Sequence, residues 1–192
     1  MALKKSDLYS SLWSSADELR GSMDASQYKD YVLTMLFVKY VSDKAKADPF
    51  ALIEVPADAS FDYLISLKGK SDVGDKVNVA IRKLADANGL QGVVNNADFD
   101  DPTKLGSGKD LVDKVSNLIA IFQEMDFTGS RAEGDDLLGD AYEYLMRHFA
   151  TQAGKSKGQF YTPAEVSRVM AQLLQIPANT PKVTTLYDPT CG

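Results

Sequence analysis

Residues 28–44 read YKDYVLTMLFVKYVSDK, and they say more about the fold than any other stretch of the chain. Tyr28, Tyr31, Val32, Met35, Leu36 and Lys39 recur at the three- and four-residue spacing of a helix face, which predicts a helix starting near Asp24 or Ser26. The positions between them are apolar too: Leu33, Phe37, Val38, Tyr40 and Val41. A surface helix keeps its apolar residues on one stripe, whereas one that is apolar nearly all round belongs in the middle of a bundle. The apolar run is too short to cross a bilayer, which takes about 20 such residues in succession.

Working outward, the flanks read as amphipathic helices that could surround it. Leu8, Leu12, Ala16 and Leu19 predict a first helix after Ser6. On it, Trp13 reads as a core or wedge residue or as an anchor for a partner. Prolines and small residues from Asp48 to Ser60 predict a long loop, and Phe61–Leu67 a short helix. Val73, Val77, Ile81 and Leu84 mark the next helix, stopped at Asn88-Gly89 because glycine accepts the left-handed conformation of a helix end. Val93–Gly108 is turn-rich and predicts loop or short irregular structure. Two further stripes follow, Leu111, Val115, Leu118, Ile119 and Phe122, then Leu138, Ala141, Tyr142, Leu145 and Phe149.

The pattern changes at Val183. Val-Thr-Thr-Leu-Tyr is a short β-rich run followed at once by a turn, and a helix then a strand ending in glycine is how an α/β nucleotide-type domain begins. The predicted fold is therefore mainly α. An irregular helical bundle over residues 1–152 is followed, over 153–192, by the first helix and strand of a truncated α/β, Rossmann-like domain.

Composition narrows the function. The 192 residues carry 21 Lys and Arg against 27 Asp and Glu, a net charge of −6. Residues 86–143 hold more than the whole of that excess, with thirteen acids against four bases. Non-specific duplex binding draws its affinity from neutralising phosphates, so an acidic chain is poorly suited to it. A nucleic-acid role would rest on the basic segment Arg147–Arg168 or on a partner. The single cysteine, Cys191, excludes an internal disulfide, and no His/Cys spacing suits a metal. The N-terminus MALKKSDLYSS lacks the apolar core of a signal peptide, so the expectation is a soluble, cytoplasmic protein.

Chemistry concentrates at residues 158–174, GQFYTPAEVSRVMAQLL. Thr162 can cap a helix, Pro163 sits where no N–H is needed, and Glu165 completes a capping box. Val166, Val169, Met170, Leu173 and Leu174 then predict a buried face. The segment is either just a well-capped helix or, through its free N–H groups, a carboxylate site walled by Phe160 and Tyr161. In the closing LYDPTCG, Gly192 would let backbone approach a ligand. Asp-Pro-Thr also occurs at Asp101–Thr103 in what reads as an ordinary turn, so neither stretch decides the matter alone.

Their order is more telling. G-Q-F-Y-T-P opening a helix, then a strand running into D-P-T-C-G, resembles the adenine-N6 DNA methyltransferases, and more narrowly the modification subunit of type I restriction-modification systems. The approach DLLGDAYEYLMRHFATQAGKSKGQFYTP resembles that subunit as well, and the helices before it resemble its N-terminal helical domain. The resemblance covers the whole chain and is most specific over 135–192.

It implies an S-adenosylmethionine site lined by Gln159, Phe160, Tyr161, Thr162, Pro163 and Ala164, with Asp188, Pro189, Cys191 and Gly192 as the first half of a cofactor-wrapping turn. Lys155 and Lys157 would either reach DNA phosphates or remain solubilising lysines. Implied partners are a specificity subunit, a second modification subunit, a restriction subunit and, through the complex, duplex DNA; a membrane is not among them. The family's Asn-Pro-Pro-aromatic catalytic motif is absent, as no Asn-Pro-Pro occurs in the chain. No catalytic residue is therefore assigned, and His148 and Cys191 are not read as base or nucleophile. The expectation is an N-terminal portion of an enzyme subunit, inactive by itself and binding little cofactor. The alternative is a helical interaction module for the specificity subunit, the second modification subunit or DNA.

Overall fold

The structure is a computed structural model and describes residues 5–20, 22–23, 25–48, 51, 53–94, 97–128, 139, 141–146, 162, 164–177, 179–181, 184–185 and 187. The chain divides into two compact units, Met1–Leu145 and Met146–Gly192.

The first unit is helical. Its elements are α1 (Lys5–Leu19), α2 (Ala25–Ala47), a 3-10 turn (Ala57–Ala59), α3 (Phe61–Leu67), α4 (Val73–Asn88), α5 (Pro102–Leu105) and α6 (Lys109–Gln123), and residues 141–145 are helical as well. As its all-round apolar pattern predicts, α2 is central and packs against α1, α3 and α6. Tyr28, Tyr31, Val32, Met35, Leu36, Val38 and Val41 are buried along it. Leu8, Leu12, Ala16 and Leu19 of α1 face the same core, as do Leu111, Val115, Leu118, Ile119 and Phe122 of α6. The buried Val, Leu, Ile, Met and Phe side chains among them each contribute roughly 1.5–3 kcal/mol.

Polar groups inside this core tie distant segments to α2. Lys39 Nζ lies 2.9 Å from Asp43 Oδ1, one turn along the helix, and both side chains are almost wholly buried. The other oxygen of Asp43 accepts the N–H of Phe127 at 2.9 Å. Ser42 Oγ accepts the N–H of Phe61, so α2 also fixes the first residue of α3. Ser60 Oγ then accepts from Tyr63 N, capping that helix.

Local sequence sets the remaining boundaries. α4 stops where Gly89 takes the left-handed conformation (φ 66°, ψ 30°), and Leu90 N–H returns to Ala85 O. Asn88 joins the Asp48–Ser60 loop to that end: its amide donates to Glu54 O, and its Oδ1 accepts from Glu54 N. At the opposite end of α4, Gly74 lies against the carbonyl of Phe99, where an added Cβ would come within 2.4 Å of the oxygen. Phe99 is fully buried, edge-on to Tyr31, and its N–H donates to Asn78 Oδ1. The turn at Asp101–Thr103 becomes the start of α5, with the Asp101 carboxylate accepting the Thr103 N–H.

In the second unit, α7 (Ala164–Leu174) forms where the capped segment predicts a helix. Two expectations there are corrected. The predicted inner face is exposed: Val166, Val169, Met170, Leu173 and Leu174 are 48–76% accessible. Nor do the described residues of the predicted strand take that form. Thr184, Thr185 and Tyr187 are not in strand conformation, and Thr184 N–H bonds back to Pro181 O in a turn; Val183 and Leu186 lie outside the described residues. A strand needs a neighbour for its N–H and C=O groups, and no sheet exists among the described residues to supply one or to cover α7.

Candidate functional site

The candidate cofactor segment reaches α7 from its N-terminal side. Thr162 is exposed two residues before Ala164, the first helical residue. Over its 11 residues α7 leaves the amides of its first turn without carbonyl partners in the helix. Those amides and the positive end of the helix dipole make a seat for an anionic group such as a carboxylate.

The rest of the predicted site falls outside the described residues. That holds for Lys155, Lys157, Gln159, Phe160, Tyr161 and Pro163, for Asp188, Pro189, Cys191 and Gly192, and for His148. Of the proposed cofactor contacts, the structure describes Thr162 and the backbone start at Ala164.

Within the first unit, the strongest polar cluster is the buried Lys39–Asp43 pair. Lys39 Nζ is held between Asp43 and the face of the Phe61 ring, 5.2 Å from its centroid. Both Asp43 oxygens are committed, one to Lys39 and one to the Phe127 amide. A buried, paired arrangement of this kind orders the core. Sequence reading missed it, because Lys39 counted only as a member of a helical stripe; the i, i+4 spacing of Lys39 and Asp43 was the available signal. Among the described residues no group of acidic, His or Cys side chains suits a metal ion, and no helix is long and apolar enough to cross a membrane.

Comparison with known proteins adds what the geometry lacks. Residues 8–122 match the family model of the HsdM N-terminal domain, and residues 133–192 match that of N-6 DNA methylase. The chain is 27% identical to the type I restriction enzyme MpnII methylase subunit of Mycoplasma pneumoniae, over 94% of this chain and 41% of that protein. It is 31% identical to the MjaVII methylase subunit of Methanocaldococcus jannaschii, over 98% of this chain and 34% of that one. In three dimensions it is similar to the crystal structure of a type I restriction-modification system methyltransferase subunit from Streptococcus thermophilus, with a TM-score of 0.64 and 26% identity, over 91% of this chain and 45% of the other. The chain thus spans less than half the length of these relatives. With more than half of its own length matched by the first model, the chain belongs to the HsdM N-terminal domain family of type I restriction-modification methylase subunits.

Proposed function

We propose that the chain is the N-terminal portion of a DNA-adenine N6-methyltransferase subunit, with the helical domain over residues 1–152 and the start of the methyltransferase domain over 153–192. The observation that carries this reading is the tandem order of the two family matches, 8–122 then 133–192, along one chain. The whole subunit would act in the cytoplasm with a specificity subunit, a second modification subunit and a restriction subunit, and reach duplex DNA through that complex.

The cofactor of the whole subunit would be S-adenosylmethionine, which supplies an electrophilic sulfonium methyl. The residues present fit its methionine end, because an exposed Thr162 precedes a helix N-terminus with free amides. Thr162 and the first amides of α7 would hold the carboxylate. Gln159, Phe160, Tyr161 and Pro163 would line the approach, and Asp188, Pro189 and Gly192 would begin the turn around the rest. Lys155 and Lys157 would face phosphates. Orientation of this kind accelerates methyl transfer by holding the reacting groups in line. The acceptor-holding Asn-Pro-Pro-aromatic motif does not occur in these residues, so this chain alone is expected to be inactive.

Transfer of labelled methyl groups to adenine-containing DNA is the test. The whole subunit with its specificity subunit should label DNA, and Thr162→Ala should raise KM for the cofactor by about tenfold, the loss of one charge-assisted hydrogen bond. Labelling by the 192-residue chain alone would overturn the division of labour proposed here.

A second reading concerns the first unit. Its self-contained core favours a helical interaction module, contacting the specificity subunit, a second modification subunit or DNA. Capture of the specificity subunit by this chain would support it, and loss of capture would move those contacts elsewhere in the subunit.

A further inference from the structure

Two apolar residues of the central helix are left half-buried by the described residues. Along α2, Leu33 and Phe37 are only half-buried, one turn apart, with Asp30 one turn before Leu33. Opposite them the chain after α4 presents Val93, 65% exposed, and Val94. Tyr142, 48% exposed, forms a further wall. Together they enclose an open cleft of about 250 Å³. That is smaller than the roughly 300–1,000 Å³ of pockets that bury drug-sized ligands, and suits one or two apolar side chains of a protein.

The walls are fixed. Thr34 Oγ1 donates to Val94 O at 3.3 Å and Tyr31 OH donates to Asp98 O at 2.8 Å, tying Val94 and Asp98 to α2. The rim is acidic. Asp30 lines the cleft and makes no ion pair among the described residues. After burial itself, the charges of Asp101, Asp98 and Asp30 raise the pKa of the Tyr31 hydroxyl. Lys104 answers one of these three, at 3.4 Å from Asp101.

We infer that this cleft, with Leu33, Phe37, Val93, Val94 and Tyr142 as walls and Asp30 at its edge, docks a basic, apolar segment of a protein partner. Apolar anchors of that segment fill the cleft, and a Lys or Arg beside them meets Asp30. A buried anchor dominates the affinity of such contacts, and the rim charge selects the partner and speeds its arrival. The inference deepens the interaction-module reading and needs neither the cofactor nor methyl transfer.

The test titrates this chain with two helical peptides of matched leucine content, one flanked by arginines and the other by glutamates. Methyl resonances of Leu33, Val93 and Val94 report occupancy. The arginine peptide should shift them and bind at least about tenfold more tightly than the glutamate peptide, with affinity falling as salt rises. Asp30→Arg should invert that preference. Val93→Ser, at an exposed position that the fold does not depend on, should weaken both peptides. Equal affinity for the two peptides, indifference to Asp30→Arg, or no shift with either peptide overturns the proposal. So does self-association of the chain that Val93→Ser abolishes, which would give the cleft to a second copy. Failure of the specificity subunit to be captured, with peptide binding intact, would count against the interaction-module reading's named partner and leave the cleft's chemistry standing.

Discussion

The Asp43 carboxylate accepts the Phe127 amide across 84 residues of sequence, inside the helical core. The same carboxylate neutralises Lys39, and Tyr40 places its ring against that of Phe127, with centroids 5.6 Å apart. α2 therefore holds the chain where it leaves α6. Asp43→Ala strands Lys39 as a buried, unpaired cation and leaves the Phe127 N–H without its acceptor. A loss of about 3–5 kcal/mol is expected by urea denaturation. The double variant Lys39→Met, Asp43→Leu removes both charges at similar volume and should recover a large part of that loss. Additive losses in the double-mutant cycle would contradict a coupled pair.

Gly74 sets two effects of opposite sign against each other. Alanine in a helix interior is ordinarily better than glycine by about 0.5–1 kcal/mol. Here the new methyl would come within 2.4 Å of Phe99 O and 2.8 Å of Asp100 Oδ1. The first contact is backbone, so α4 or the Phe99 segment has to move. Overpacking of this kind costs about 1–3 kcal/mol and should win, giving net destabilisation by Gly74→Ala. A raised melting temperature would show that the segment yields freely.

What could be read from the sequence tracks how local each signal is. The α2 pattern marked its central place, Asn88-Gly89 marked the end of α4, and Phe61–Leu67 stood out as a short helix after the loop. Contacts made across long separations left no such trace. Nothing adjacent in sequence marks Phe99 as a core residue beneath Tyr31, or Asp43 as the acceptor for Phe127. The all-round apolar pattern of α2 also overstated its coverage, because Leu33 and Phe37 remain half-buried. At the candidate site, capping chemistry predicted α7, while a strand depends on neighbours that a local run such as Val-Thr-Thr-Leu-Tyr does not contain.

Alkaline pH should destabilise the helical unit through Tyr31. Burial first, then the charges of Asp101, Asp98 and Asp30, hold its hydroxyl pKa well above the ordinary tyrosine value. In the unfolded chain that hydroxyl ionises near pH 10, as an unperturbed tyrosine does. The unfolded state therefore loses its proton first, and stability that is complete below about pH 10 declines as pH rises above it. Denaturation midpoints followed through this range should fall more steeply for the wild type than for Tyr31→Phe. Parallel curves would mean that Tyr31 ionises alike in both states.

Duplex binding by this chain should be weak. A net charge of −6, with thirteen acids against four bases over residues 86–143, gives phosphates little to bind. Mobility shifts at physiological salt are expected to require at least the roughly 10⁻⁴–10⁻⁶ M range of non-specific association. Tight binding would require a basic surface that the chain's charge balance does not suggest.

The exposed face of α7 offers the sharpest comparison between this chain and a whole subunit. Leu173 and Leu174 are 76% and 60% accessible, so little apolar burial is lost on replacing either in the chain as it stands. Leu173→Ser should change its stability by no more than about 0.5 kcal/mol, as surface substitutions generally do. If α7 opens the methyltransferase domain, its apolar face lies against other elements of that domain in the whole subunit. The same substitution would then empty a packed position and cost about 2–5 kcal/mol. Paired denaturation of the two proteins, each with and without Leu173→Ser, measures the difference directly. An equally small effect in both would mean that this face stays in solvent, and that the helix serves the site only through its N-terminus.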